Sequence, residues 1–235
     1  NDIAATSAVV EAEDFPIRLV PAIGVSDGDP DDWIEIIEQL RPLSGDKLRM
    51  GAAKLMTDGS IQGYSARLKW PGYVNGAPNG MWNMGPAQLR QMIAKLHAAG
   101  IQMHVHVNGD EASDVVIDAM AQALRGPGPR DHRHVLQHGQ LMDDAQFQRA
   151  AELGLAVNLF ANHIYHFGDQ HYEKTVGPDR AMRMNACRSA LDAGLKLAIH
   201  SDAPVTPLSP LFTAWCAANR LTASGRVLGH EQRLS

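Results

Sequence analysis

Four side chains that can take part in metal binding follow one another along this chain, each at or just past the end of an apolar run. They are Lys54 in GAAKLMTDG, His106 in IQMHVHVNGD, His138 in RHVLQHG and Asp202 in KLAIHSDAPV. Short apolar runs of this kind are typical of buried strands. Because parallel α/β proteins carry their functional groups at the carboxyl ends of the strands, the pattern predicts that all four side chains meet at one end of a sheet.

The rest of the chain also indicates a parallel sheet. A helical pattern, a glycine and an aliphatic strand recur in LHAAG-IQMHVHV, AAELG-LAVNLF and LDAG-LKLAIHSD, with Gly100, Gly154 and Gly194 where a helix would end in a left-handed residue. Alternating helices and strands are typical of βα units. We predict six strands, near Ile17–Ile23, Gly51–Met56, Ile101–Val107, His134–His138, Leu155–Phe160 and Leu195–His200.

Size and composition exclude some classes of protein and partner. The 235 residues suit one domain over residues 1–235, and 45% hydrophobic and 20% charged residues are usual for a globular protein. A formal net charge of -5 offers no basic surface for nucleic acid, and no apolar stretch approaches the roughly 20 residues of a membrane helix. Neither nucleic acid nor a membrane is therefore expected as a partner. Cys187 and Cys216 are expected as buried free thiols, which leaves the compartment open, with the cytoplasm favoured.

A long segment from Asp58 to Pro86 interrupts the alternation, because it is rich in Gly, Pro and Asn and has no sustained period. A loop this long after a strand is usually functional. We predict that it covers the strand ends, with Trp70, Tyr73 and Trp82 as walls of a substrate pocket.

The donor types indicate hydrolytic metal chemistry. Imidazoles from His106 and His138, a carboxylate from Asp202 and no cysteine in a comparable position suit Zn, Mn or Fe, which lower the pKa of a bound water and polarise a carbonyl. Lys54 is unusual in such a set, because an ammonium repels cations. A poorly solvated lysine beside metals tends to lose its proton, however, and the neutral amine can react with carbon dioxide to give a carbamate able to bridge two ions.

The runs KLMTDGS, HVNGDEA, HVLQHGQ and SDAPV, in this order, resemble the amidohydrolase superfamily, and within it the YtcJ-like amidohydrolase 3 branch that includes N-substituted formamide deformylases. That branch carries Lys and Asp-Gly-Ser at strand four, His-x-x-Gly-Asp at strand five, Glu-His at strand six and Ser-Asp-Ala-Pro at strand eight. The resemblance covers nearly the whole chain. It implies a (β/α)8 TIM-barrel-like fold and a metal-dependent hydrolase that cleaves an amide-type, non-peptide C–N bond of a small molecule.

The resemblance also implies roles for single residues. Lys54 would be the carboxylated bridging ligand, His106 and His138 the histidines of the second metal site, and Asp202 both a ligand of the first metal and the catalytic base. A metal-activated hydroxide would attack the carbonyl, and Asp202 would return the proton to the leaving nitrogen.

Two further positions match the branch less directly. Asp110, in the Gly-Asp pair after strand five, is expected to fix the loop or cap the next helix rather than bind metal. His163 falls near a histidine that many members carry after strand seven and is a candidate substrate-binding residue, although Phe160-Ala161 replace the more usual Gln-Pro.

The family's first-strand His-x-His pair has no counterpart before Lys54. His104-x-His106 matches it in spelling, but the motif order makes it strand five; the alternative assignment to strand one stays open. We therefore expect only strands three to eight in this chain. The first metal would keep only Asp202 and the carbamate, which predicts weakened or single-metal occupancy, with Zn the favoured ion.

Structural interpretations compete with each functional one. An inward histidine in a barrel is more often a hydrogen-bonded core residue, which is our interpretation of His104 and His200, with His200 as a ligand beside Asp202 the alternative. The remaining histidines except His134 and His163 are expected at the surface or in loops: His97, His132, His166, His171 and His230. The rival functions are a phosphotriester or lactone hydrolase, and a non-catalytic barrel fragment with a vestigial metal site whose open sheet edges would favour a homo-oligomer.

Overall fold

The computed structural model describes residues 3–235, which contain one sheet of six parallel strands. The strands lie side by side in chain order, each paired in parallel with the next. They are β1 (Ala22–Val25), β2 (Ala52–Met56), β3 (Gln102–Val107), β4 (Val135–His138), β5 (Ala156–Leu159) and β6 (Lys196–Ile199). This order confirms the prediction of a parallel α/β protein and is that of consecutive strands in a TIM-barrel-like fold.

Helices connect the strands. They are α1 (Ile3–Glu11), α2 (Pro30–Leu40), α3 (Pro86–Ala98), α4 (Asp110–Ala123), α5 (Asp144–Glu152), α6 (His163–Gln170), α7 (Gly177–Arg183), α8 (Cys187–Asp192) and α9 (Pro210–Asn219), with short helical turns at Arg41–Leu43, His171–Thr175 and His230–Gln232. Six of the helices that the structure describes, α2 to α5, α8 and α9, contribute buried residues to the core on one face of the sheet. Over residues 3–235, none of these helices has the length and apolar character that crossing a membrane requires.

Side chains along each strand point alternately to the two faces of the sheet, and one face packs against the helices to form the core. The predicted stripe on α3, which includes Leu89 and Ile93, is completely buried and packs in one core with strand residues such as Leu55 and Val105. Successive strand side chains point to opposite sides of the sheet. We call the other side the interior face, and it carries Lys54, His104, His106, Gln137 and Asn158.

The first strand begins later than the sequence pattern indicated. Ile17 and Val20 are each 56% exposed, and Leu19 makes only an isolated bridge, to Leu48. The prediction was therefore wrong over residues 17–21, because Ile17 and Val20 are exposed and Leu19 packs with a small separate cluster that includes Leu48, not with the core of the sheet. The other five strands lie within a residue or two of their predicted positions.

Of the histidines predicted for the surface or for loops, His97 and His171 lie in helical segments and are buried, whereas His132 lies in a loop, as expected, but is buried too. His97, His132 and His171 are 2%, 7% and 0% exposed. His97 Nδ1 lies 3.1 Å from His134 Nε2, and His134 Nδ1 accepts a hydrogen bond from the backbone N–H of Met103. The prediction of surface positions was wrong because each ring has a polar partner inside the protein: His134 for His97, the Leu153 carbonyl for His132, and Gln140 and Thr175 for His171. Local sequence gives no sign of such contacts.

Both cysteines are buried free thiols, as their helical contexts indicated. Cys187 lies in α8 and Cys216 in α9. Burial raises the pKa of the Cys187 thiol to about 11, so this group stays protonated near neutral pH. Such burial is typical of structural rather than reactive cysteines.

Candidate metal centre

The carboxyl ends of β3, β4 and β6 bring three imidazoles and a carboxylate together. The rings of His106 and His138 meet edge to face, with their centroids 4.6 Å apart. His138 Nδ1 lies 3.1 Å from His200 Nε2, and that nitrogen lies 4.0 Å from Oδ1 of Asp202. Residues far apart in the chain therefore form one cluster, because parallel strands end at the same edge of the sheet.

Lys54 approaches this cluster from β2. Its side chain is half-buried, and its register partner on β3 is His104. Burial lowers the pKa of the Lys54 amine to about 8, although the Asp202 carboxylate opposes this change. About a tenth of the amine is therefore neutral at pH 7. After burial, the Lys54 charge is also what lowers the pKa of His104 and of His200, so the amine lies within electrostatic reach of both rings.

The surroundings of His138 and His200 favour neutral imidazoles. Burial lowers the pKa of His138 well below its usual value, and His106 and Lys54 lower it further. Burial also lowers the pKa of His200 to about 4. The carboxyl of Asp202 changes in the opposite direction, because its burial raises the pKa while Lys54 and His106 lower it. Neutral nitrogens beside a carboxylate form a donor set that suits zinc and related divalent ions.

Two residues of the cluster have an unusual backbone. His138, the last residue of β4, has a φ of 75°, and Asp202 has a φ of 60°. Non-glycine residues seldom adopt this left-handed region, and those that do are often found at functional sites.

His106 is held from the start of the long loop. Its Nε2 lies 3.1 Å from the carbonyl oxygen of Gly59 and 3.4 Å from a carboxylate oxygen of Asp58, with the Asn108 amide nitrogen at 3.3 Å. Two of these three polar atoms are acceptors, which favours a proton on Nε2. The other ring nitrogen, Nδ1, then carries the lone pair.

Asp58 ties that loop to the turn before α4. Its carboxylate is completely buried and accepts hydrogen bonds from the backbone N–H groups of Arg67, Asn108 and Gly109 at 2.9 to 3.0 Å. Gly109 is required for this close approach, since a Cβ there would lie 1.7 Å from the carbonyl oxygen of Arg67. Asp110 acts in the same region, because it accepts from the backbone N–H of Lys69 at 2.9 Å and so fixes the loop, as expected.

His200 belongs to the cluster, whereas the pattern of inward residues placed it deeper, in the core. Its ring nitrogen and ligand atoms of His138 and Asp202 all lie within 4.8 Å of one another, and within the described part of the chain this is the group of three that could hold a metal ion. The signal available in the sequence was its position two residues before Asp202.

The four predicted substrate-binding residues lie in different surroundings. His163 is buried against Phe160, with ring centroids 3.8 Å apart, and burial lowers its pKa to about 3. Tyr73 is buried, and its hydroxyl donates to the carbonyl of Ala66. Trp82 lies under the guanidinium of Arg67, and Trp70 is 94% exposed. Contact with a substrate stays a prediction for all four.

Six parallel strands with polar residues at their carboxyl ends place this chain among proteins with a TIM-barrel-like fold and a candidate metal centre. The chain belongs to the amidohydrolase family, since the family model Amidohydro_3, described as "Amidohydrolase family", matches residues 1–235. The chain is 31% identical over 199 residues to the putative amidohydrolase YtcJ of Bacillus subtilis (strain 168), which covers 83% of this chain and 35% of that relative.

Two further relatives and two solved structures agree with this assignment. The chain is 27% identical to Protein LONG AFTER FAR-RED 3 of Arabidopsis thaliana, over 74% of this chain and 30% of that protein, and 28% identical to an N-substituted formamide deformylase of Arthrobacter pascens, over 63% and 27%. Uncharacterized metal-dependent hydrolases from Pyrococcus horikoshii OT3 and Pyrococcus furiosus share the fold, with TM-scores of 0.79 and 0.77 at 22% and 23% identity. Each match covers 99% of this chain and 46% of the solved one. The chain thus spans about a third of the length of the curated relatives.

Proposed function

We propose that this protein is a metal-dependent hydrolase that cleaves an amide-type C–N bond of a small, non-peptide molecule. The observation that carries the proposal is the meeting of His106, His138, Asp202 and the desolvated amine of Lys54 at the carboxyl ends of parallel strands. Enzymes with this fold carry their reacting groups at that end. Membership of the amidohydrolase family supports the same type of reaction.

The residues present fit one or two divalent ions, with zinc favoured. His106, His138 and Asp202 would hold the metal, and Lys54 would join them once carboxylated. When bound, the metal would polarise the substrate carbonyl and lower the pKa of a water molecule. Zinc is favoured because catalytic zinc sites combine imidazole and carboxylate ligands with an open position.

Lys54 supports the proposal through its lowered pKa of about 8. The neutral amine attacks carbon dioxide, a nitrogen–carbon bond forms, and one proton leaves to solvent. The product is a carbamate with a single negative charge shared by two oxygens. The lysine thereby changes from a group that repels cations to one that binds them, and burial is what makes the reacting neutral form available.

Asp202 is the residue that we assign to proton transfer. Burial raises the pKa of its carboxyl, and a general acid or base works best when its pKa approaches the working pH. Asp202 would accept a proton from the attacking water and deliver it to the nitrogen of the broken C–N bond. Its half-buried position leaves room for a substrate to reach it.

A small N-substituted amide or formamide is the substrate class that we favour. The similarity to the N-substituted formamide deformylase supports it, as does the apolar ring of Phe160, which packs against His138 and His200 beside the cluster.

An activity screen of the zinc-loaded protein tests the proposal. N-substituted formamides, simple amides, a lactone and a phosphotriester are offered in parallel to the unaltered protein, to Asp202→Asn and to the control Asp46→Asn, whose side chain is 85% exposed. We expect hydrolysis of the amide class, lost in Asp202→Asn and kept in the control. Turnover confined to the phosphotriester or lactone would overturn the C–N assignment. Zinc binding without turnover of any compound would favour the non-catalytic fragment.

A further inference from the structure

Five interior side chains form one unbroken hydrogen-bonded chain that ends at the candidate metal centre. His138 Nδ1 lies 3.1 Å from His200 Nε2, and His200 Nδ1 lies 3.2 Å from Oδ1 of Asn158. The Asn158 amide nitrogen donates to Oε1 of Gln137 at 2.9 Å, and the Gln137 amide nitrogen lies 2.7 Å from His104 Nδ1. These residues come from β3, β4, β5 and the end of β6, so the chain crosses most of the interior face.

The two amides give this chain a direction. The carbonyl oxygen of Asn158 can only accept, so the proton of His200 lies on Nδ1. A neutral imidazole has one N–H, and Nε2 of His200 is therefore an acceptor. His138 must then donate from Nδ1, which leaves the lone pair of His138 on Nε2. All the hydrogen bonds of this chain therefore point in one direction: each residue from His138 onward donates to the next, and His104 accepts the last bond. Hydrogen bonds aligned in this way strengthen one another.

We propose that His200 is a positioning residue for His138: held by Asn158 and Gln137, it accepts the Nδ1 proton of His138 and so turns the Nε2 lone pair of that ring toward the metal. The inference rests on the proposed function, because it needs His138 as a ligand. Metal-binding histidines usually donate their second N–H to a carboxylate or carbonyl that fixes the ring. In this protein the imidazole of His200, which is itself held by the Asn158 amide, would accept that N–H from His138.

Two other arrangements make different predictions. If both amides were turned over, the protons would run the opposite way, and the proton of His138 would occupy Nε2, where it blocks metal binding. Alternatively, His200 would itself bind the metal beside Asp202. In the arrangement proposed here, the hydrogen bond from His138 Nδ1 occupies the Nε2 lone pair of His200 that a metal ion would need, so the two roles of His200 exclude one another.

Tautomers in the metal-free protein give the first test. Nitrogen–proton correlation spectra of ¹⁵N-histidine-labelled protein at pH 7.5 should show protons on Nδ1 of His138, on Nδ1 of His200 and on Nε2 of His104. Assignments come from single His-to-Gln variants. A proton on Nε2 of His138 would overturn the inference, and this readout needs neither activity nor metal.

Zinc affinity, measured with Zn²⁺ alone against a chromogenic chelator, gives the second test. His200→Phe removes the acceptor and should weaken binding by about 10-fold to 100-fold. His200→Gln keeps an oxygen acceptor near the position of Nε2 and should recover most of the loss, while Asn158→Leu should weaken binding by a smaller factor. The exposed His230→Gln is the control and should bind as the unaltered protein does.

The outcomes separate the inference from the proposed function. Unchanged zinc affinity in His200→Phe would overturn the positioning role. Equal losses in His200→Phe and His200→Gln, with one nitrogen ligand fewer in the absorption spectrum of the cobalt-substituted protein, would make His200 a ligand and also overturn it. Unchanged affinity in His138→Asn would instead remove the metal centre on which the proposed function depends.

Discussion

Gln137 and His138 are consecutive residues of β4, yet the side chains of both lie on the interior face. Gln137 contacts His104 and Asn158, and His138 contacts His106. Strict alternation would send one of two neighbours toward the helices. The φ of 75° at His138 breaks the alternation at the last strand position and turns its ring toward the candidate metal centre.

We expect His138→Gly to be more stable than His138→Ala. Both variants lose the ring, but only alanine keeps a Cβ at positive φ, which costs about 1 kcal/mol. Urea unfolding of the metal-free variants measures the difference. The same pair of substitutions at His106, within the regular part of β3, should give the opposite order, since glycine in a strand is less stable than alanine by about 0.5–1 kcal/mol. If the glycine variant were more stable than the alanine variant at both positions, or less stable at both, the left-handed backbone of His138 would not explain the difference.

Carboxylation of Lys54 should be visible and should control metal binding. Protein equilibrated with zinc and ¹³C-bicarbonate is expected to show a carbamate carbon signal that Lys54→Ala lacks. Zinc affinity should fall by about 10-fold or more in that variant and recover in part when propionate is added, because a free carboxylate can occupy the vacated space. Lys196→Ala, at an exposed lysine of β6, is the matched control. A carbamate signal that persists in Lys54→Ala would refute the assignment.

His134 should make stability depend on pH. Burial, with His132 and His97 next to it, lowers the pKa of His134 from 6.5 to about 3. Below pH 6.5 His134 therefore becomes protonated in the unfolded chain, whereas in the folded protein it stays neutral down to about pH 3. The stability that His134 contributes is complete above pH 6.5 and falls by about 1.4 kcal/mol for each pH unit below it.

Comparison of variants isolates this contribution. His134→Phe should be less stable than the unaltered protein at pH 7, but between pH 6.5 and pH 5 its free energy of unfolding should drop by about 2 kcal/mol less. His230→Phe, at a side chain that is 79% exposed, should leave the pH dependence unchanged. Parallel stability curves for the unaltered protein and His134→Phe would show that His134 is not the group responsible.

Asp58→Asn should destabilise the protein by about 2–4 kcal/mol. The fully buried carboxylate accepts hydrogen bonds from the backbone N–H groups of Arg67, Asn108 and Gly109. In the asparagine variant one of these accepting oxygens is replaced by an NH₂ donor that faces a backbone N–H, so a buried donor loses its acceptor. Urea unfolding without metal measures the loss. Asp46→Asn, at an exposed carboxylate, should change stability by no more than about 0.5 kcal/mol, and an equally small effect at Asp58 would refute the argument.

The sequence was sufficient for the sheet because its evidence is local and repeated. Aliphatic runs located β2 to β6, with helix-ending glycines before β3, β5 and β6, and parallel pairing then required His106, His138 and Asp202 to meet. The first strand was misplaced because apolar composition at Ile17 and Val20 does not reveal exposure, which depends on what packs against them.

Features that depend on contacts between distant residues could not be predicted. The place of His200 beside His138 results from the left-handed backbone of His138 and from the Asn158 amide, which sit on different strands. The pairing of His97 with His134 likewise joins the end of a helix to the start of a strand. The spacing of residues within one segment of sequence cannot predict a contact between side chains that lie on different segments.

The carboxylate of Asp58 has a mechanical consequence for the long loop. Its bonds fasten the return of the loop at Arg67 and the turn that leads into α4, and one of its oxygens stands 3.4 Å from the ring of His106. The loop cannot swing freely at this end, as a hinged cover would. A substitution that reshapes this end of the loop would therefore also displace the ring of His106, so under the proposed function substrate selectivity and metal binding would change together.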